Sequence, residues 1–171
     1  MTVLEAIQRS TEFLAKKGVD SPRLQTELLL AHLLKQPRMR LYLEFERVLT
    51  SAEVDGIREL IKRRGQREPL QHIVGSTSFC GLEIAVNRNV LIPRPETELL
   101  AERGWIFLNQ ISTLNAQPST ALDFGTGSGC IAVAVLSQLR DAACVATDVS
   151  PAALEIARGN AERNGVLDRM T

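Results

Sequence analysis

Ala121-Leu122-Asp123-Phe124-Gly125-Thr126-Gly127-Ser128-Gly129 runs directly into Cys130-Ile131-Ala132-Val133-Ala134-Val135-Leu136. A short apolar strand is expected over 121–124, then a turn with glycine at every second position, then an apolar helix. Cys144-Val145-Ala146-Thr147 reads as a second strand that ends at Asp148. Ser150-Pro151 supplies an N-cap and a proline at the first helical position, opening a helix over 152–164 with Gly165 just past its end. Strand, glycine turn, helix, strand and helix make a βαβα unit. Its sheet should be parallel, with helices on its faces.

Working outward, the N-terminal stretch reads as helical. Thr2 with Glu5, and Thr50 with Glu53, have the spacing of a capping box. Leu4, Ile7, Thr11 and Leu14 follow the first box at helical spacing, and Lys16-Lys17-Gly18 provides a stop. Ser21-Pro22 opens a second helix through Leu24, Leu28, Ala31 and Leu34, which ends before Pro37. Val54, Ile57, Leu60 and Ile61 form a third, stopping near Gly65. Between 69 and 92 the period changes to two: Leu82, Ile84 and Val86 alternate with Glu83 and Ala85, flanked by Cys80-Gly81 and Asn87-Arg88-Asn89. A β-hairpin is expected there. Pro93-Arg94-Pro95 stops it, and Glu96-Thr97-Glu98 starts a helix to about Leu108 with acids at its positive end. The division is thus a helical docking domain at 1–68, a hairpin linker at 69–92 and an α/β part at 93–171.

Composition narrows the class. Among 171 residues, 20 Lys+Arg balance 20 Asp+Glu, so nothing suggests bulk electrostatic binding of nucleic acid. The one basic run, Lys62-Arg63-Arg64 with Arg67, reads as solvating a helix end. No stretch approaches the ~18 apolar residues of a membrane span, and the N-terminus does not resemble a signal peptide. Cys80, Cys130 and Cys144 are odd in number, widely spaced and form no CxxC pair, which speaks against a disulfide framework or a cysteine zinc site. His32 and His72 are the only histidines, and His32 lies in a leucine-rich run. No metal site is expected. A cytoplasmic, monomeric protein is.

Chemistry concentrates at the glycine turn. Residues without a Cβ let the backbone bend sharply and let a ligand touch it. Ligands of such sheets bind beyond the carboxyl ends of the strands. Asp148, at the end of the second strand, is placed to accept hydrogen bonds from two ribose hydroxyls, so an adenosine-containing cofactor is expected. A nicotinamide fingerprint, GxGxxG, would need glycine where Cys130 stands. No Lys-Ser or Lys-Thr follows the loop, so a P-loop is excluded as well. Asp123, two positions before the glycines, suits a ligand with a cationic amino group. S-adenosylmethionine has one.

Leu122-Asp123-Phe124-Gly125-Thr126-Gly127-Ser128-Gly129 resembles the first motif of class I S-adenosylmethionine-dependent methyltransferases. Arg67-Glu68-Pro69-Leu70-Gln71-His72-Ile73-Val74-Gly75 and Val90-Leu91-Ile92-Pro93-Arg94-Pro95-Glu96-Thr97-Glu98-Leu99-Leu100 are similar to the protein-(glutamine-N5) methyltransferases that act on peptide chain release factors, the PrmC/HemK family. The resemblance implies an α+β two-domain fold: helical bundle, hairpin linker, and the first βαβα part of a Rossmann-like methyltransferase core. It implies protein methylation in translation termination, at the glutamine of the Gly-Gly-Gln loop of release factors. Gly125, Thr126, Gly127, Ser128 and Gly129 would line the cofactor's methionine and ribose, Asp148 would hold the ribose, and Asp123 would lie near the amino group. Val149 would pack on adenine or merely end the strand. Arg94, Glu96 and Thr97 would flank the active-site mouth or merely start a helix.

The family's Asn-Pro-Pro-Tyr loop, which orients the substrate amide, has no counterpart before Thr171. No catalytic residue is therefore assigned, and the chain reads as a fragment of such an enzyme, inactive by itself. A non-catalytic interaction module and, more weakly, a nicotinamide-dependent oxidoreductase remain as other readings.

Overall fold

The computed structural model describes residues 1–171, which divide into two compact units, Met1–Val74 and Gly75–Thr171. The first is all-helical: α1 (Val3–Lys16), α2 (Pro22–Leu33), α3 (Arg38–Leu43), α4 (Ser51–Gly65) and α5 (Leu70–Val74). Both capping boxes form, with Thr2 and Thr50 accepting from the backbone of Glu5 and Glu53 and each glutamate reaching back to its cap. Val3, Ile7 and Leu14 of α1 meet Leu29 and Leu30 of α2, Leu41 of α3 and Ile57 and Ile61 of α4 in one core. Ser21 stands at the N-cap of α2 as expected, but it adopts φ 47° and its side chain caps nothing.

The basic run is spent on this unit. Arg63 forms a bidentate pair with Glu68 at 2.8 and 2.6 Å. Arg67 donates to the carbonyls of Gly18 and Lys17 at 2.9 and 2.8 Å, satisfying the end of α1.

Glu27 of α2 is 2% exposed and receives Arg23, Arg38 and the Tyr42 hydroxyl, each at 2.9 Å. Burial pushes this carboxyl up, yet the hydrogen bonds from Arg23, Tyr42 and Arg38 together outweigh it and hold the pKa below the ordinary carboxylate value. A carboxyl lowered in the folded state contributes stability that is complete above its unfolded pKa and is lost as pH falls through the folded one. Glu27→Gln should therefore destabilise this unit by about 2 kcal/mol at neutral pH, and the gap to the parent should shrink in acid. Urea unfolding at pH 7 and pH 3 checks both; an equal gap at the two pH values would remove the ionic explanation.

The second unit begins with a hairpin, β1 (Ser76–Phe79) and β2 (Leu82–Ala85). Phe79 faces Leu82 across Cys80-Gly81, whose φ values of 49° and 76° give the primed turn that suits the strand twist. Then come α6 (Pro95–Asn115), β3 (Thr120–Phe124), α7 (Cys130–Gln138), β4 (Ala143–Thr147) and α8 (Pro151–Arg163). Strands β3 and β4 are parallel, with Asp123 opposite Ala146 and Phe124 opposite Thr147. Thr171 continues beside β4, donating to Cys144 O at 3.0 Å and accepting from Ala146 N at 2.7 Å. Cys144 is buried, while Leu122, Phe124 and Val145 on the opposite pleat are exposed.

The unit boundary falls after Val74, not near residue 68. Residues 70–74, expected at the start of the hairpin stretch, form α5, whose Ile73 joins the helical core. Helix α6 also runs on to Asn115, beyond the expected stop near Leu108. No helix is long and apolar enough to cross a membrane.

Candidate functional site

The glycine turn joins the end of β3 to α7. Gly125, Gly127 and Gly129 have φ of 74°, 56° and 76°, a region that a side chain strains. The three differ in what surrounds them. A Cβ on Gly125 or Gly127 would meet nothing within 4 Å, whereas one on Gly129 would lie 2.9 Å from Ala157 Cβ. Two glycines thus keep space open above the strand ends, and the third lets α8 approach the loop. Close packing falls to Gly129, one position before Cys130.

Five hydrogen bonds tie the loop to its surroundings. The N–H groups of Gly125 and Thr126 both donate to Thr147 O at 2.8 Å. Thr126 Oγ1 donates to Asp123 Oδ2 at 2.7 Å, and Gly127 N–H donates to Asp148 Oδ2 at 2.9 Å. Asn160 Nδ2 donates to Ser128 O at 2.8 Å. Asp148 also accepts Ser150 N–H on Oδ1 at 2.9 Å, and Ser150 caps α8 through Ala153 N–H.

Hydrogen bonds from the backbone of Ser150 and Gly127 hold the Asp148 carboxyl below its ordinary value, so it is an anion at neutral pH. Each of its oxygens keeps a second lone pair for another donor. Cys144, beneath the loop, is pushed up to about 11 by burial and by the Asp123 charge; it is a packed thiol, not a nucleophile.

The structure brings Asp123, Gly125, Thr126, Gly127, Ser128, Gly129 and Asp148 into one cluster at the carboxyl ends of β3 and β4. Thr126 and Ser128 are buried, with the Thr126 hydroxyl engaged by Asp123. Val149 is 99% exposed beside this cluster in sequence. Arg94 is the N-cap residue of α6 and makes no side-chain cap. Glu98 is spent on structure, accepting Cys80 N–H at 2.9 Å. Sequence reasoning missed Asn160. The available signal was an asparagine among the buried alanines Ala153, Ala157 and Ala161 of α8.

A parallel βαβα unit with a glycine loop and an acid at the tip of the neighbouring strand defines the first part of a class I methyltransferase core. Residues 5–75 match the family model for the PrmC N-terminal domain, and residues 105–171 that for ribosomal protein L11 methyltransferase (PrmA). The chain is similar to the release factor glutamine methyltransferase of Chlorobaculum tepidum, 43% identical over 169 residues, covering 99% of this chain and 58% of the relative. It is likewise similar to that of Geobacter sulfurreducens, 42% identical over 166 residues, covering 96% and 55%. A solved O-methyltransferase family 2 protein from Planctomyces limnophilus, in complex with apigenin, superposes only loosely. Its TM-score is 0.30 at 21% identity, covering 94% of this chain and 61% of the other. The chain is thus similar along nearly its whole length to release factor glutamine methyltransferases, and it spans a little over half the length of these curated relatives.

Proposed function

We propose that the protein to which these residues belong transfers a methyl group from S-adenosylmethionine to the side-chain amide nitrogen (N5) of the glutamine in the Gly-Gly-Gln motif of peptide chain release factors. The observation that supports this best is the pairing of an open glycine loop with the anionic Asp148. The cofactor fits the residues present. Open space above Gly125 and Gly127 admits a ligand against the backbone. Asp148 offers a charged acceptor to two ribose hydroxyls. Asp123, with Oδ2 occupied by Thr126, offers charge to the cofactor's ammonium. Thr126, Ser128 and Gly129 shape the loop that these groups share. When bound, the cofactor supplies an electrophilic methyl on a sulfonium.

The residues of this chain bind and orient; none of them attacks. An amide nitrogen is a weak nucleophile because its lone pair is delocalised, so transfer depends on acceptors that orient its N–H groups. The Asn-Pro-Pro-Tyr run assigned that task by the resemblance is not among residues 1–171. The helical first unit is the docking surface for the protein substrate in this reading, and the protein acts in the cytoplasm as a monomer without nucleic acid.

The test is methyl transfer from labelled S-adenosylmethionine to a bacterial release factor, read by mass spectrometry. A complete protein carrying this sequence should label the Gly-Gly-Gln glutamine, and the 171-residue chain alone should leave it unlabelled. Robust turnover by the short chain, or label on another residue, would defeat the proposal.

A further inference from the structure

Helix α8 reads the backbone of β2 as a third strand would. Phe79 and Leu82 flank the two-residue turn, and Val86 N–H donates to Gly75 O at 3.0 Å. Antiparallel alternation therefore turns the N–H and C=O of Ala85, and the C=O of Glu83, away from β1. Those outward groups would be orphaned where the hairpin lies against a helix. Asn160 takes both groups of Ala85: its Oδ1 accepts the N–H at 2.7 Å and its Nδ2 donates to the C=O at 3.0 Å. Asn164 Nδ2 donates to Glu83 O at 3.3 Å. The match is metric. Four helical residues advance about 6 Å and two strand residues about 6.7 Å, so asparagines four apart on α8 meet strand residues two apart on β2.

Asn160 has one donor hydrogen left, and it goes to Ser128 O in the glycine loop at 2.8 Å. Its side chain is fully buried, 0% exposed, and both its amide oxygen and both its amide hydrogens are used. One carboxamide therefore joins the end of the hairpin to the loop on which Gly127 and Asp148 meet. Its neighbour Asn164 holds the hairpin and, within α8, donates to Asn160 O at 2.8 Å, but it makes no bond to the loop.

We infer that Asn160 is a positioning residue that couples the β1–β2 hairpin to the glycine loop, so that the hairpin sets the loop geometry presented to the cofactor. The functional half of this inference rests on the cofactor reading above; the coupling itself does not. Asn160→Asp keeps the shape and the acceptor but removes both donors, and it turns a carboxylate toward the carbonyls of Ala85 and Ser128. Asn164→Ala releases Glu83 without touching the loop.

Amide hydrogen exchange of the 171-residue chain, with titration of S-adenosylmethionine, tests this. Asn160→Asp should speed exchange about tenfold, the worth of one lost hydrogen bond, in both residues 82–86 and 125–129. Asn164→Ala should speed only the former. Affinity for S-adenosylmethionine should fall about tenfold in Asn160→Asp and stay within about twofold in Asn164→Ala, where no loop contact is lost. Ala85→Pro removes the hairpin's donor to Asn160 at a strand position whose N–H does not serve β1. It should also loosen 125–129, and it decides the matter should Asn160→Asp not fold. Faster exchange confined to the hairpin, or unchanged affinity in a folded Asn160→Asp protein, would overturn the coupling. Absence of S-adenosylmethionine binding by the parent chain would instead count against the cofactor reading, and the exchange pattern would still decide the coupling.

Discussion

Gly129→Ala should cost the second unit about 3 kcal/mol, combining left-handed backbone strain with a contact too tight to relax by rotating a side chain. The new methyl would lie 2.9 Å from Ala157 Cβ and 3.1 Å from Ala157 Cα, so α8 or the loop must move. Against the marginal stability of a small domain, that is a large fraction. Gly127→Ala makes the useful comparison. Its φ of 56° is equally left-handed, but nothing stands within 4 Å of the added methyl. Only the backbone cost remains, about 1 kcal/mol. Thermal unfolding followed by circular dichroism, with exchange assigning the loss to residues 75–171, checks both. Equal destabilisation at the two positions would mean that Gly129 is not the packing glycine.

Asp148→Ala is expected to weaken S-adenosylmethionine binding by about tenfold or more, since hydrogen bonds to a charged acceptor are the strong ones. The substitution also strips Gly127 N–H and Ser150 N–H of their acceptor, so the loop loses its anchor to the tip of β4. The pH dependence has a definite sign. Because the folded carboxyl lies below its ordinary value, it stays charged as pH falls through the range where an ordinary aspartate protonates. The share of the affinity that depends on Asp148 should therefore persist through that range and be lost only below it. The loss of affinity in acid should be smaller in Asp148→Ala than in the parent, because one of the two carboxylates facing the cofactor is gone. An acid loss of the same size in both proteins would contradict the role of the hydrogen-bonded anion.

How much of this was legible in the sequence follows from range. The capping boxes at Thr2 and Thr50 are four-residue signals, and both are present. The glycine loop and the parallel βαβα unit were legible because residues 120–163 encode them in contiguous order. Helix α3 was not, being six residues long with no side-chain cap at Pro37. Helix α5 was missed for a similar reason, as five residues offer no periodicity to count. Ser21-Pro22 announced a helix start correctly, but the αL backbone of Ser21 turns its hydroxyl from capping, which no pattern reveals. Asn160 is the extreme case. Its partners Ala85 and Ser128 are 75 and 32 residues away, and all three bonds are to backbone, which leaves no side-chain signature. At the site, sequence named the residues that cluster, whereas the division of labour among the three glycines depends on where α8 packs.

The central claim is that the loop at 125–129 with Asp148 forms an S-adenosylmethionine site. Isothermal titration of the 171-residue chain and its Asp148→Ala variant, each with S-adenosylmethionine and with a nicotinamide dinucleotide, tests it most directly. The account predicts heat with S-adenosylmethionine for the parent, a much weaker signal for Asp148→Ala, and none with the dinucleotide. Binding of the dinucleotide in preference, or S-adenosylmethionine binding indifferent to Asp148, would contradict it.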